Sequence, residues 1–326
     1  MAVIGLDLGG TKLSGGLFSE NGELLFTDSR KLEKRTGEDV GILIQEFVKH
    51  LIAEANNLKI TVYAIGICIP GISYHDTGCV WAPNIEGWEN YPVRQKISEV
   101  VNKDVKVIVD SDRACAIFGE SWLGAAKGCA NVIFLAVGTG IGAGIIVNNQ
   151  LVRGAHDIAG AIGWWALDTP YHDKFAPCGC FEYHASGEGI AKVAREIIAD
   201  DKTYKGILSK KKPNEITSHD VFSAYNDGDD VAKRTMRTAI MFWGMAVANL
   251  VSIFDPEKII FGGGVFGPAV QFIDDIYEEA KKHAQPISIK KVKIEASKLN
   301  NEAVLIGAGY MALKAIRVKE DWDEEN

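Results

Sequence analysis

Two acids and three glycine-rich turns are the residues that could do chemistry. Asp7 stands inside the apolar run 3–8, which ends in Gly9-Gly10-Thr11-Lys12 before a second apolar run closes at Phe18. An acid in a buried strand needs something to offset its desolvation. A metal ion, water or a polar ligand at the turn would do so; a solvated acid on an ordinary hairpin is the plain alternative. Two glycines let the backbone approach a ligand, and turn N–H groups can face an anion. The pattern returns at 132–146, with Gly138-Thr139-Gly140-Ile141-Gly142 as its turn. At an offset of 129 (132 − 3), Val3, Ile4, Leu6, Gly9 and Gly15 fall on Val132, Ile133, Leu135, Gly138 and Gly144. A third turn, Gly262-Gly263-Gly264, follows the strand expected at 258–261. Three such turns suit a polyphosphate gripped by two of them with a nucleoside on the third, although any one alone could be a plain hairpin. Neither G-x-x-x-x-G-K-[ST] nor a G-x-G-x-x-G opening a helix after the first strand is present. Asp112 follows the strand expected at 105–109 and heads the next helix. It is either a helix N-cap or a base that accepts a proton from a hydroxyl as a phosphoryl group arrives. In the second case Asp7 would serve Mg²⁺, directly or through water.

The elements that must hold these groups alternate as in an α/β protein. The order to residue 123 reads β-β-β-α-β-α-β-α, and the second half opens on the same plan, which indicates a duplication. Helices are expected at 37–56, from Pro92 to about 101, at 113–123, at 186–198 with Ser186 as N-cap, from 217, at 231–254, 270–284 and 302–318. The segment 153–184 reads as irregular. At 326 residues two domains are expected: an N-terminal α/β domain over 1–115 with the C-terminal helix 303–318 packing back on it, a C-terminal α/β domain over 116–302 with an insertion at 153–187, and an acidic tail at 319–326. The halves are expected to meet in a cleft. The net charge of −8 argues against nucleic acid and anionic membrane as partners. No leader and no membrane-spanning helix is read, and six scattered cysteines suit a reducing cytoplasm.

Read as a set, Asp7-Leu-Gly-Gly-Thr-Lys12, Ala82-Pro-Asn-Ile-Glu-Gly-Trp88, Asp112 with its helix, Gly138-Thr-Gly-Ile-Gly142, Arg153-Gly-Ala-His-Asp-Ile-Ala-Gly160, Gly179-Cys-Phe-Glu182 with Ala185-Ser-Gly187, and Asp255-Pro-Glu-Lys-Ile-Ile-Phe-Gly-Gly-Gly264 resemble the ROK family (repressor, open reading frame, kinase) in order and spacing over nearly the whole chain. The resemblance implies two duplicated actin/hexokinase-like (ribonuclease H-like) domains around an ATP cleft, and transfer of the ATP γ-phosphoryl to a sugar hydroxyl, often the 6-hydroxyl. It makes Asp112 the catalytic base and Asn84 and Glu182 sugar contacts. Asp7, Gly9, Gly10, Thr11 and Lys12 match the first phosphate motif, Gly138, Thr139, Gly140 and Gly142 the second, and Gly262, Gly263 and Gly264 the adenosine motif. The family often forms dimers. No helix-turn-helix segment is read ahead of Val3, so the repressor branch is not expected.

Three positions depart from the family pattern. Ser111 stands where an Asn is usual, Ala161 where a sugar-binding carboxylate is usual, and Trp164 where a His that contacts sugar and ligates zinc is usual. The family's cysteine motif is shortened to Cys178-Gly-Cys180. His172, Cys178, Cys180 and His184 could supply a rearranged set on spacing alone, but zinc is not expected; Trp164, Trp165 and local packing would replace it. Loss of three hydrogen-bonding groups and gain of indole surface point to an acceptor other than plain glucose: a substituted sugar, an amino sugar, a glycoside or a cyclitol. His156 and Asp157 could restore polar contacts or simply be solvated. The expected activity is thus an ATP- and Mg²⁺-dependent sugar kinase. Its rivals are a sugar or nucleotide sensor that has lost turnover and a polymerising actin-like protein.

Overall fold

In the computed structural model, which describes residues 1–324 and the side chains of 1–317, the apolar run at the N-terminus becomes strand β1 (Ala2–Leu8), buried on both faces except at Asp7. β2 (Lys12–Ser19) and β3 (Leu24–Lys31) return antiparallel beside it. Helix α1 (Gly37–Asn57) turns Val40, Ile44, Phe47, Val48 and Leu51 onto the sheet. After it come β4 (Val62–Ile69), the short pair β5 (Ile72–Ser73) and β6 (Val80–Trp81), α2 (Val93–Ser98), β7 (Lys106–Ser111) and α3 (Asp112–Leu123). The sheet order is β3-β2-β1-β4-β7, with β4 and β7 parallel to β1.

The second sheet repeats that plan strand for strand. β8 (Val132–Val137), β9 (Ile141–Val147) and β10 (Gln150–Leu151) form the meander. Next come α4 (Cys180–Ala185), α5 (Gly187–Asp200), α6 (Ser218–Asn226), α7 (Asp230–Phe254), β11 (Lys258–Gly262), α8 (Ile273–Ala280), β12 (Lys293–Ala296) and finally α9 (Ala303–Glu324). The order β10-β9-β8-β11-β12 mirrors the first sheet. The duplication carries one shift. Leu6 pairs with Gly15, whereas Leu135 pairs with Ala143; Gly5 pairs with Gly16, whereas Phe134 pairs with Gly144. The second turn is one residue shorter. The equivalent of Gly144 is therefore Gly16, and the alignment of Gly15 on Gly144 at constant offset is a coincidence of composition.

Contacts gather the chain into two units. One holds Met1–Gly128, Arg153–Ala159 and the chain from Lys298; the other holds Cys129–Val152 and Gly160–Ser297. In the first, α9 lies on the sheet and against α3 at backbone contact distance. A Cβ on Gly307 would stand 1.7 Å from the carbonyl oxygen of Cys115, and one on Gly119 would stand 2.1 Å from that of Ala303. In the second, α7 is the core helix. It is long and apolar enough to cross a membrane by length and composition, yet Phe242, Trp243, Val247 and Leu250 are buried in the unit's core and Trp243 Nε1 donates to the carbonyl of Ala185 at 3.0 Å.

Several local expectations change. The helix expected at 270–284 is a 3₁₀ turn over Pro268–Phe272 followed by a shorter α8. The irregular 153–184 segment contains α4, which is too short to show a period. The last helix runs on through Glu324, where an acidic tail was expected from 319; the remainder of that tail, 325–326, lies outside the described residues.

Candidate functional site

The first unit brings Asp7, near the end of β1, close enough to Asp112, at the head of α3, for the two carboxylates to interact, with β4 between their strands. Asp7 pairs with Ser14 across β2 and with Cys68 along β4, and β4 in turn pairs with β7, whose end leads into α3. Desolvation, then the neighbouring Asp112 carboxylate, raise the Asp7 carboxyl to about 6 against a pull downward from Lys12. Neither oxygen of Asp7 has a hydrogen bond or ion pair among the described residues. The turn beside it is closed by the Gly9 N–H donating to the Lys12 carbonyl at 2.9 Å, and Gly10, Thr11 and Lys12 are exposed.

Ser111, not Asp112, caps α3. Its Oγ accepts the Ala114 N–H at 3.4 Å with extended backbone angles, and it is 9% exposed. Asp112 is the first helical residue. One of its oxygens accepts the Arg113 N–H at 2.8 Å. Desolvation raises its carboxyl, opposed by the Arg113 charge and by backbone N–H groups. Asn84 is exposed on the loop 81–88, which Ile85 and Trp88 pin to the core. Trp88 stacks on Tyr91 at 4.4 Å and donates Nε1 to the Gly37 carbonyl at 2.9 Å. His156 is exposed, while Asp157 is engaged: its Oδ2 accepts the His75 N–H at 3.0 Å.

The second unit contains a cavity of about 510 Å³ lined by Gly138, Thr139, Gly187, Glu188, Gly264 and Val265 on one part and by Arg195, Asn214, Thr217, Ser218 and His219 on another. Helices α5 and α6 both start at it. Ser186 Oγ accepts the Gly189 N–H, as its N-cap role requires, and Gly187 donates its N–H to the Gly138 carbonyl at 2.8 Å. Thr217 and Asp220 form a reciprocal capping box on α6. Glycine turns and helix N-termini together favour an anionic ligand.

The expected glycines divide by task. Gly138 and Gly264 face open space. Gly142 is buried in β9, Gly262 lies against the Phe134 ring, and Gly263, at φ +89°, has no room for a Cβ beside the Val137 carbonyl. Gly140 lies close against Glu182: an added Cβ would stand 2.6 Å from its Oε2, the oxygen that accepts the Ile141 N–H at 2.7 Å, and would displace it. Glu182, on α4, is thus fastened to the 138–142 turn. Burial raises its carboxyl, against the pull of that N–H and of Lys192.

Ala161 is half-buried just before a 3₁₀ turn, Ile162–Trp164, and Trp164 is 60% exposed. Trp165 packs partly on the core. The four candidate zinc ligands do not converge. The His184 ring stacks on Phe242 at 4.1 Å, and its Nδ1 lies 2.8 Å from the Cys180 carbonyl oxygen and 3.9 Å from Cys180 Sγ. His172 meets the edge of Phe175. Among the described residues no three His, Cys, Asp or Glu side chains gather as a metal site. The aromatic cluster Phe175, Tyr183, His184 and Phe242 holds this region.

Sequence reasoning passed over Glu188, Arg195, Asn214, Thr217, Ser218 and His219 as cavity residues. The polar run 202–214 reads as a surface excursion, yet it is anchored. Tyr204 donates its hydroxyl to Asp229 Oδ2 at 2.6 Å, the Ile207 N–H donates to the same oxygen at 2.8 Å, and Leu208 is buried. The helix start expected at 217 is where the capping box forms, and it was the one local signal that fell on the cavity.

Two sheets of one order, each opening with strand, glycine turn and strand, define an actin/hexokinase-like α/β protein. The chain belongs to the ROK family, whose model matches residues 3–315. It is 31% identical to a glucokinase of Halalkalibacterium halodurans over 94% of both chains. It is 30% identical to a xylose repressor of Caldicellulosiruptor bescii over 96% of this chain and 78% of that one. Among solved structures it resembles a ROK family glucokinase from Streptomyces griseus, in complex with glucose and AMPPNP, with a TM-score of 0.72 and 28% identity over 96% of this chain and 100% of that one.

Proposed function

We propose that this protein is an ATP-dependent sugar kinase that transfers the γ-phosphoryl to a hydroxyl, by family resemblance the 6-hydroxyl, of a sugar or sugar-like acceptor other than plain glucose. The observation that carries the reading is the division of labour at the head of α3. Ser111 takes the capping bond, which leaves the Asp112 carboxylate free of the N-cap role, with the Arg113 N–H on one oxygen and a carboxyl raised by desolvation. Asp112 accepts the proton of the acceptor hydroxyl as the phosphoryl group arrives. The amide-lined turns at 9–12 and 138–140 hold phosphates, and the cavity beside Gly264 takes the nucleoside.

Asp7 suits Mg²⁺. Its oxygens have no hydrogen bond or ion pair among the described residues, and its ionisation is opposed by desolvation and by Asp112, so a divalent cation there would offset both costs. Asp7 would hold the ion, which would supply neutralisation of phosphate charge. Mg²⁺ needs only one or two carboxylates beside water and phosphate, which one half-buried Asp can provide. Zinc is given no part.

On the acceptor side Asn84 and Glu182 orient hydroxyls. Ser111 is committed to its cap, Ala161 offers no polar atom, and Trp164 offers an exposed indole face. This supports an acceptor with apolar or substituted surface. The six free cysteines suit a reducing cytoplasm, and the net charge of −8 disfavours nucleic acid and anionic membrane as partners. The likeness to a xylose repressor favours one second reading, a sensor that binds sugar without turnover. A panel of sugars, amino sugars, glycosides and cyclitols, assayed for acceptor-dependent ADP release, separates the two: a kinase releases ADP with at least one acceptor, and a sensor binds and releases none.

A further inference from the structure

The loop 153–159 belongs to the first unit although Val152 and Gly160 on either side of it belong to the second. It is fastened there at two points. Arg153 Nη2 donates to Asp110 Oδ2 at 2.5 Å, and Asp110 is 3% exposed. The other oxygen of Asp110 accepts the Ser111 N–H at 2.8 Å, so the ion pair acts directly on the strand end that delivers Asp112. At its far side Asp157 accepts the His75 N–H, and the His75 carbonyl is in turn held by Arg94 Nη2 at 2.6 Å. The Arg153 carbonyl accepts the Ala159 N–H at 3.0 Å and closes the loop on itself. Between the two fasteners His156 is exposed, with no hydrogen bond or ion pair among the described residues.

A buried carboxylate left without its partner destabilises its surroundings strongly. Arg153 therefore does more than brace a loop. We infer that Arg153 is a positioning residue for the acceptor: through Asp110 it fixes the loop 153–159, and with it the His156 imidazole, to the strand end that carries Asp112. The inference rests on the kinase reading of Asp112. The loop and the base then address one acceptor from a single body, and His156 meets a hydroxyl or ring substituent of the sugar. The cavity given to the nucleotide is lined wholly by residues of the other unit.

The test compares wild type, Arg153→Met, Arg153→Lys and the double variant Asp110→Asn/Arg153→Met. The double variant removes the orphaned buried charge and keeps the question answerable if Arg153→Met alone fails to fold. Arg153→Met, or the double variant in its place, is expected to raise the acceptor KM at least tenfold and leave the ATP KM within twofold. Amide exchange at His75 and Ala159 should rise at least tenfold, and Arg153→Lys should recover part of both effects. An unchanged acceptor KM in a folded variant, a parallel rise of both KM values, or unchanged exchange at the two amides overturns the inference. Failure of the kinase reading looks different: wild type releases no ADP with any acceptor, while the exchange measurement still decides whether Arg153 holds the loop.

Discussion

At the scale of single residues, Asp7 sets function against stability. Its carboxyl is raised from 3.8 to about 6, so ionisation is disfavoured in the folded state. Below about pH 4 the acid is protonated in both states and costs nothing; the cost grows as pH rises and is complete above about 6. Asp7→Asn is therefore expected to raise the melting temperature of the nucleotide-free protein at pH 7.5, by a few kcal/mol in equivalent stability, with the gain fading as pH falls from 6 towards 4, while Mg·ATP-dependent turnover is lost. A melting series across that range checks it. Gly140→Ala drives a methyl onto the Glu182 carboxylate and should weaken both nucleotide and acceptor binding, at a cost to stability of ~1–3 kcal/mol, seen in the two KM values and in urea unfolding. The types Asp7, Asp112 and Glu182 were legible in the chain, and so was the awkwardness of an acid in a strand. Which of Ser111 and Asp112 caps the helix was not legible. Both are good N-caps and they are adjacent, so only the backbone angles at 111 decide between them.

At the scale of elements, the position of Asp112 depends on how closely α3 and α9 approach. Gly307 leaves no space for a methyl beside the Cys115 carbonyl, so Gly307→Ala must push the helices apart. A loss of ~1–3 kcal/mol in urea unfolding is expected, together with a fall in kcat, because Cys115 lies one turn beyond Asp112 on the same helix. The long amphipathic helices and the buried strands could be read from period and apolar runs. The 3₁₀ stretch at 268–272 and the six-residue α4 could not, since neither is long enough to display a period. The repeat was read correctly through β1 and β8 and misread by one residue in β2 and β9. A glycine-for-glycine match hid the shorter second turn, and only the pairing of Leu6 with Gly15 and of Leu135 with Ala143 exposes it.

For the molecule as a whole, the duplicated sheet plan explains why the turn after β1 recurs after β8, whereas the third glycine turn follows β11, the counterpart of β4. Gly264 faces open space in the cavity while Gly262 and Gly263 serve packing. Gly264→Val is thus expected to leave the nucleotide-free melting temperature nearly unchanged and to abolish the rise that ATP gives wild type, a rise of about 2.7 kcal/mol in stability at a hundredfold excess over Kd. The cavity's polar side chains were not legible, because 202–219 joins them to the turns through tertiary contacts such as Tyr204 to Asp229 rather than through any local pattern. On the kinase proposal the acceptor's identity is equally non-local, since Trp164 and Ala161, which depart from the family pattern, lie in the irregular segment after β10. The most direct measurement is ADP release by wild type and by Asp112→Asn across the acceptor panel. Acceptor-dependent release by wild type, reduced by roughly 10²–10⁴-fold in Asp112→Asn with the ATP KM little changed, is the expected result. Equal turnover in the two proteins, or sugar binding with no ADP release by wild type, would contradict the assignment of Asp112 as the base of a kinase.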